Sequence, residues 1–285
     1  MALLTVLRFT DKSVFEKQDN IYLAIIVLEF LVFLLPAAFY MKLKGRGYFS
    51  TLMPSMFKPE AAAFVVLSLF ALIFGSAGLR FVTEQFGVSR GQMILMEAVF
   101  DDVGVSPSPA YMILTFALAP ALCEELIFRG IMLSEYKSGG RFCGVFMSSL
   151  LFAFLHFGFE NFLQAFFLGA YLAFAVSVTG SLPTAMLLRF FFALYELFLE
   201  NQLFNILDRP NNPVFMIFIL FGAFLAVLFF ALGCAEKMFF SYSFENRPTP
   251  ERDDSYVVGD VTLAKSLISI PFAVTVVMYV IISAV

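Results

Sequence analysis

"AYMILTFALAPALCEELIFRGIML", residues 110–133, is apolar enough to cross a bilayer, yet it carries Glu124, Glu125 and Arg129 within six positions. A helix needs roughly 20 apolar residues to span about 30 Å of hydrocarbon. A charged side chain at the centre of such a helix costs about 2.5–3.5 kcal/mol on insertion scales, so charges found there tend to be paired, internal and functional. The stretch also holds Pro120, which predicts a kinked or broken helix, or two shorter ones meeting near the charges.

Similar runs recur on both sides, at approximately 22–41, 61–83, 142–158, 161–178, 183–205, 213–234 and 263–285, which makes eight with the first. Composition agrees. The 285 residues are 61% hydrophobic and 14% charged, against roughly 45–50% and 25% in a soluble domain. The 40 phenylalanines and the absence of tryptophan suit lipid-facing and interhelical packing. The expected fold class is all-α: a polytopic membrane helix bundle with about eight transmembrane helices, forming a single integral membrane domain over 1–285. Its longest polar segment, 235–262, reads as a cytoplasmic loop with turn signals at Arg247-Pro248 and Pro250. A net charge of -4, dispersed along the chain, excludes a nucleic-acid role. Cys123, Cys143 and Cys234 lie in or beside apolar runs without metal-ligand spacing, so they read as small core residues and not as a disulfide framework or zinc knuckle.

Orientation follows from Lys and Arg in the loops. The loop 42–60 carries Lys42, Lys44, Arg46 and Lys58, whereas 84–109 has Glu84, Glu97, Asp101 and Asp102 with Arg90 as its basic residue. The first is therefore expected in the cytoplasm. Alternation then puts Lys137 with Arg141, and Lys237 with Arg247 and Arg252, on the same side, and both termini outside; Arg8, Lys12 and Lys17 pull the other way. The first apolar run is longer than a signal-peptide core and is read as retained, with cleavage after "PAA" at 36–38 as the lesser alternative. A compact chain without a targeting segment points to a bacterial plasma membrane.

Glu125 and Arg129 are four apart with the acid first, the favoured order for a pair along one helix face. Glu124 then points about 100° away around the helix, available to another partner. The chain has one histidine, His156, in "LLFAFLHFGFEN" at 150–161. An imidazole titrates near neutrality and can share a proton with a carboxylate on a neighbouring helix, for which Glu124 is the candidate. Two bland readings stand beside this one: a satisfied core histidine, and a purely structural intramembrane ion pair.

"EELIFR", at 124–129, resembles the Glu-Glu-x-x-x-Arg signature of the CPBP intramembrane proteases, the CAAX-protease and bacteriocin-processing group. Phe152-Ala-Phe-Leu-His156 is similar to that family's second motif, Phe-x-x-x-His, and "TGSLPTAMLL" at 179–188 resembles the run into its third. The likeness covers approximately 105–205, taken as a catalytic core. It implies hydrolysis within the membrane. By this match, Glu124 and His156 activate water for attack on a peptide carbonyl, while Glu125, Arg129 and Phe152 support the site. The substrate implied is a membrane protein or peptide, met in the lipid bilayer through a cavity on the cytoplasmic side.

The third motif departs from the pattern. Where the family has His-x-x-x-Asn or His-x-x-x-Asp, this chain has Arg189 and Ala193. Two roles are open to Arg189: a fixed cation for a developing oxyanion, or a partner for Glu196 or Glu160 in an inert site. The first keeps an intramembrane endopeptidase; the second gives a non-catalytic membrane scaffold or regulator. A third reading has the same pair serve another acyl transfer or a transport step. No cofactor is favoured. A catalytic zinc usually takes three protein ligands, and the local set for one is Glu124, Glu125 and His156.

Overall fold

The computed structural model describes residues 18–45, 61–87, 108–156, 158–207, 212–244 and 263–284. Every element among them is helical. Helix α1 runs as Gln18–Glu29, a wide π-helical turn at Phe30–Leu34, and Leu35–Lys44. Helix α2 is Ala62–Gln85, and α3 is Pro109–Gly139. Then come α4 (Arg141–Leu155), α5 (Phe159–Thr179), α6 (Leu182–Phe198), α7 (Glu200–Leu207), α8 (Pro213–Phe244), α9 (Leu263–Leu267) and α10 (Ile270–Ala284).

Two prolines inside long helices are absorbed the same way. Pro36 follows the wide turn at Phe30–Leu34, and Pro120 follows another at Ile113–Leu118. Proline has no N–H to give, and its ring crowds the carbonyl four residues back; widening the turn before it relieves that carbonyl. The break considered at Pro120 is thus replaced by a π-helical bulge in a continuous helix. A third such turn, Leu126–Met132, carries Arg129.

Each of the eight apolar runs contains helix, but a count of eight spans is not confirmed. Among the described residues five helices are long and apolar enough to cross a membrane, or six if α6 and α7, bent by 61° at their junction, form one. Helices α4 and α10, at 15 residues each, fall short of the roughly 20 that a straight crossing needs. At the other extreme α8 continues to Phe244, so the start of the expected 235–262 loop is helical; 245–262 lies outside the described residues.

Helix α5 lies inside the bundle, packed against α2, α4, α6 and α8, while α6 packs against α2 and α3. The largest apolar core joins Leu72, Cys123, Phe128, Phe152, Leu172, Leu188 and Phe192. All three cysteines are free. On the outside, α1 and α8 expose Phe39, Leu43, Phe218, Phe229 and Phe230. Apolar surface of that extent is a liability in water and is what hydrocarbon requires. The protein is a multi-pass membrane protein. Most loop charges used for orientation, Arg46, Lys58, Arg90 and Arg247 among them, lie outside the described residues. The Lys44–Glu135 ion pair, at 3.1 Å, does tie the ends of α1 and α3 together, as alternating spans require.

Candidate active site

The polar centre is built from side chains of α1, α3, α4 and α6. On α3, Glu125 and Arg129 pair as their spacing predicts, Arg129 Nη1 donating to Glu125 Oε1 at 2.9 Å, with both side chains fully buried. The guanidinium is held on two more sides: Nη2 donates to the Gly169 carbonyl of α5 at 3.1 Å, and Cζ lies 4.3 Å from the centre of the Phe152 ring of α4. Gly169 permits this approach, because a Cβ there would stand 3.1 Å from Ser149 Cα and 3.2 Å from Phe152 Cδ1. The pair therefore pins α3, α4 and α5 together. Removing one partner of such a buried pair costs about 3–5 kcal/mol, since the other charge is left stranded.

One residue earlier, Glu124 turns to a different neighbour. Its Oε2 accepts from Arg189 Nη2 of α6 at 3.4 Å, and both residues are buried. The same Nη2 lies 3.4 Å from His156 Nε2, and Nη1 lies 3.6 Å from Glu196 Oε2. Arg189 thus points into the Glu124–His156 centre and also meets a further acid. Of the two acids considered as its partner, Glu196 is the one found, and the side chain of Glu160 lies outside the described residues. The direct Glu124–His156 contact expected from the sequence is replaced by a guanidinium that touches both.

His156 caps the C-terminus of α4, and its Nδ1 sits 3.0 Å from the Phe152 carbonyl. A carbonyl only accepts, so Nδ1 carries the proton; a guanidinium only donates, so Nε2 presents its lone pair to Arg189. The tautomer is fixed from both ends. Phe152, four residues earlier, is fully buried beside both cations. Its ring lies 4.3 Å from the Arg129 guanidinium and 5.6 Å from that of Arg189, with Phe128 edge-on at 5.3 Å. The motif Phe-x-x-x-His thereby supplies both an aromatic ring against two cations and the imidazole beside one of them. Ala193, also buried, offers only a methyl group where the resemblance expects an amide or acid.

Sequence reasoning missed Glu29. It closes the first segment of α1, which packs on α3, and it lies within electrostatic reach of Glu124 and Arg189. Its Oε2 is buried without a hydrogen-bond partner. The signal was present in "IYLAIIVLEFLVFLLP", at 21–36, as a single acid in an apolar run. With it, four carboxylates (Glu29, Glu124, Glu125 and Glu196) share two guanidiniums.

The three residues considered for zinc are each engaged by a guanidinium. Glu125 is engaged by Arg129, and both Glu124 Oε2 and His156 Nε2 face a guanidinium, which would stand where a dication must. Among the described residues no group of three or more His, Cys, Asp or Glu is arranged to hold a metal.

Residues 106–195, about a third of the chain, match the family described as type II CAAX prenyl endopeptidase Rce1-like. That segment contains Glu124, Glu125, Arg129, Phe152, His156 and Arg189 and ends one residue short of Glu196. No curated protein and no solved structure matches the chain.

Proposed function

With a central segment of the CAAX protease-like family as premise, we propose that the chain is an intramembrane endopeptidase hydrolysing a peptide bond of a membrane-associated protein or peptide. The observation that supports this best is convergence: Glu124, His156 and Arg189, from three helices, meet at one guanidinium nitrogen with 3.4 Å on either side. Both contacts are long beside the usual 2.9 Å, so Arg189 is held loosely enough to turn towards a new anion. In the proposed reaction Glu124 accepts a proton from water while the lone pair of His156 Nε2 orients that water. The oxygen bonds to the substrate carbonyl carbon. The resulting oxyanion pairs with Arg189, and the proton passes from Glu124 to the departing amine as the C–N bond breaks. No step needs a metal, and treatment with a chelator is expected to leave the rate unchanged; a loss restored by zinc would overturn that part.

A second reading is favoured by Arg189 and Ala193 themselves. They replace groups that the family resemblance expects, and the guanidinium fills the gap between the two catalytic candidates. In that reading the chain is a non-catalytic scaffold or regulator of other membrane proteins. One experiment separates the two: purified protein is incubated with a panel of membrane-anchored peptides, beside Glu124→Gln and the double variant Arg189→His/Ala193→Asn. Cleavage by the unaltered protein, lost in Glu124→Gln, supports the endopeptidase. Cleavage only after the double substitution supports the scaffold.

We further place the 42–60 loop in the cytoplasm. Labelling of single cysteines introduced there, from one side of sealed vesicles, tests the orientation.

A further inference from the structure

His156 lies just beyond the last regular residue of α4, where a helix frays unless the chain that follows is held. The holding comes from the other end of the sequence. Gly158, two residues on, has φ of +97°, a backbone region that disfavours a side chain, and there the chain turns from α4 into α5. Its N–H donates to Ser283 Oγ at 3.1 Å, and its carbonyl accepts from Tyr279 OH at 3.0 Å. Ser283 and Tyr279 are four apart and so share one face of α10. Tyr279 is buried, its ring 4.9 Å from that of Phe154, 5.5 Å from Phe159 and 5.9 Å from Phe162. Helix α10 packs along α4, and it lies outside the 106–195 segment that carries the family match.

We infer that α10 is a clamp on the α4–α5 turn that fixes the His156 imidazole, with Tyr279 and Ser283 as positioning residues; the catalytic consequence rests on the reading of His156 proposed above. The two contacts are not equivalent. The Gly158 carbonyl also accepts from the Asn161 N–H at 3.3 Å, so it keeps a partner if the tyrosine hydroxyl is removed. The Gly158 N–H is buried with Ser283 as its acceptor, and Ser283→Ala leaves it unsatisfied. Ser283→Ala is therefore the more damaging change, and the pair together the most.

The chain has a single histidine, so one labelled imidazole reports on the clamp whether or not any peptide is cut. The test is nitrogen NMR of the full chain, 15N-labelled at histidine, in lipid nanodiscs. Unaltered protein is expected to show one tautomer, protonated at Nδ1. Tyr279→Phe/Ser283→Ala is expected to show a tautomer mixture, with Ser283→Thr, which keeps the hydroxyl, returning the original spectrum. Val277→Ala, on the lipid-exposed side of α10, should change nothing. If the double variant does not fold, each single variant removes one oxygen and reads the same property. On a cleavable peptide, kcat of the clamp variants should fall between about 10-fold and 10²-fold with KM little changed, the size of a misplacement of about 1 Å. Spectra that superimpose on the original in the clamp variants would overturn the inference, even if the unaltered protein cleaves peptides. Altered spectra in a chain that cleaves nothing would retain the clamp and remove the endopeptidase.

Discussion

Two buried glutamate–arginine pairs stand side by side here, and they are built differently. Glu125 and Arg129 are four residues apart on one helix, meet at 2.9 Å, and are fastened further to the Gly169 carbonyl and the face of Phe152. Glu124 and Arg189 are 65 residues apart, meet at 3.4 Å, and share the guanidinium with His156 and Glu196. The same two residue types thus serve as a rivet in one place and, in the mechanism proposed above, as a movable charge in the other. What separates them is how many other bonds each cation makes and how short those bonds are. Phe152 lies against both, 4.3 Å from the Arg129 guanidinium and 5.6 Å from that of Arg189.

The sharpest way to break the comparison is to remove the rivet. Arg129→Ala strands the fully buried Glu125 carboxylate and frees the Gly169 carbonyl; the expected loss is about 3–5 kcal/mol of stability, read as a large drop in thermal midpoint or a chain that does not accumulate. Survival of the variant with a near-normal midpoint would mean that the pair is not structural. Glu124→Gln keeps the shape of its side chain and gives up the base. Turnover is expected to fall by about 10²–10⁴ while the midpoint moves far less than in Arg129→Ala. If the two variants lose stability equally, the division between brace and centre is wrong.

How much of this was legible follows from sequence separation. The Glu125–Arg129 pair could be read because one helix brings residues i and i+4 together whatever the rest of the fold does. Glu124, His156 and Arg189 were each recognisable as costly groups in apolar runs, but their arrangement depends on how α3, α4 and α6 pack, and no local rule supplies that. Hence the expected Glu124–His156 contact became two contacts through Arg189. Glu29 was overlooked because a lone acid on the first helix has no local partner; its relation to Glu124 exists only once α1 lies on α3. The apolar runs were visible, yet their lengths as helices were not: α4 stops at Leu155, and α10, like α4, has only 15 residues.

A smaller effect is expected where the movable cation is conservatively changed. Arg189→Lys keeps a positive charge but has one nitrogen, which cannot meet Glu196 and the Glu124–His156 side together. Loss of one oxyanion donor commonly costs about 10²–10³, so a retained charge should place the lysine variant below that range, with Arg189→Gln inside it. Equal rates for lysine and glutamine would show that Arg189 acts by geometry alone.

Glu29→Gln should have the smallest effect. Glu29 lies within electrostatic reach of Glu124 and Arg189, but its buried Oε2 makes no hydrogen bond that an amide would give up. The substitution is expected to change turnover by less than about tenfold, under roughly 1.4 kcal/mol in the barrier, with stability little altered. A fall in turnover comparable with that of Glu124→Gln would instead make Glu29 a second proton carrier. The loose centre would then extend from α6 across to α1, and the contrast with the rivet would be one of reach as well as of bond length.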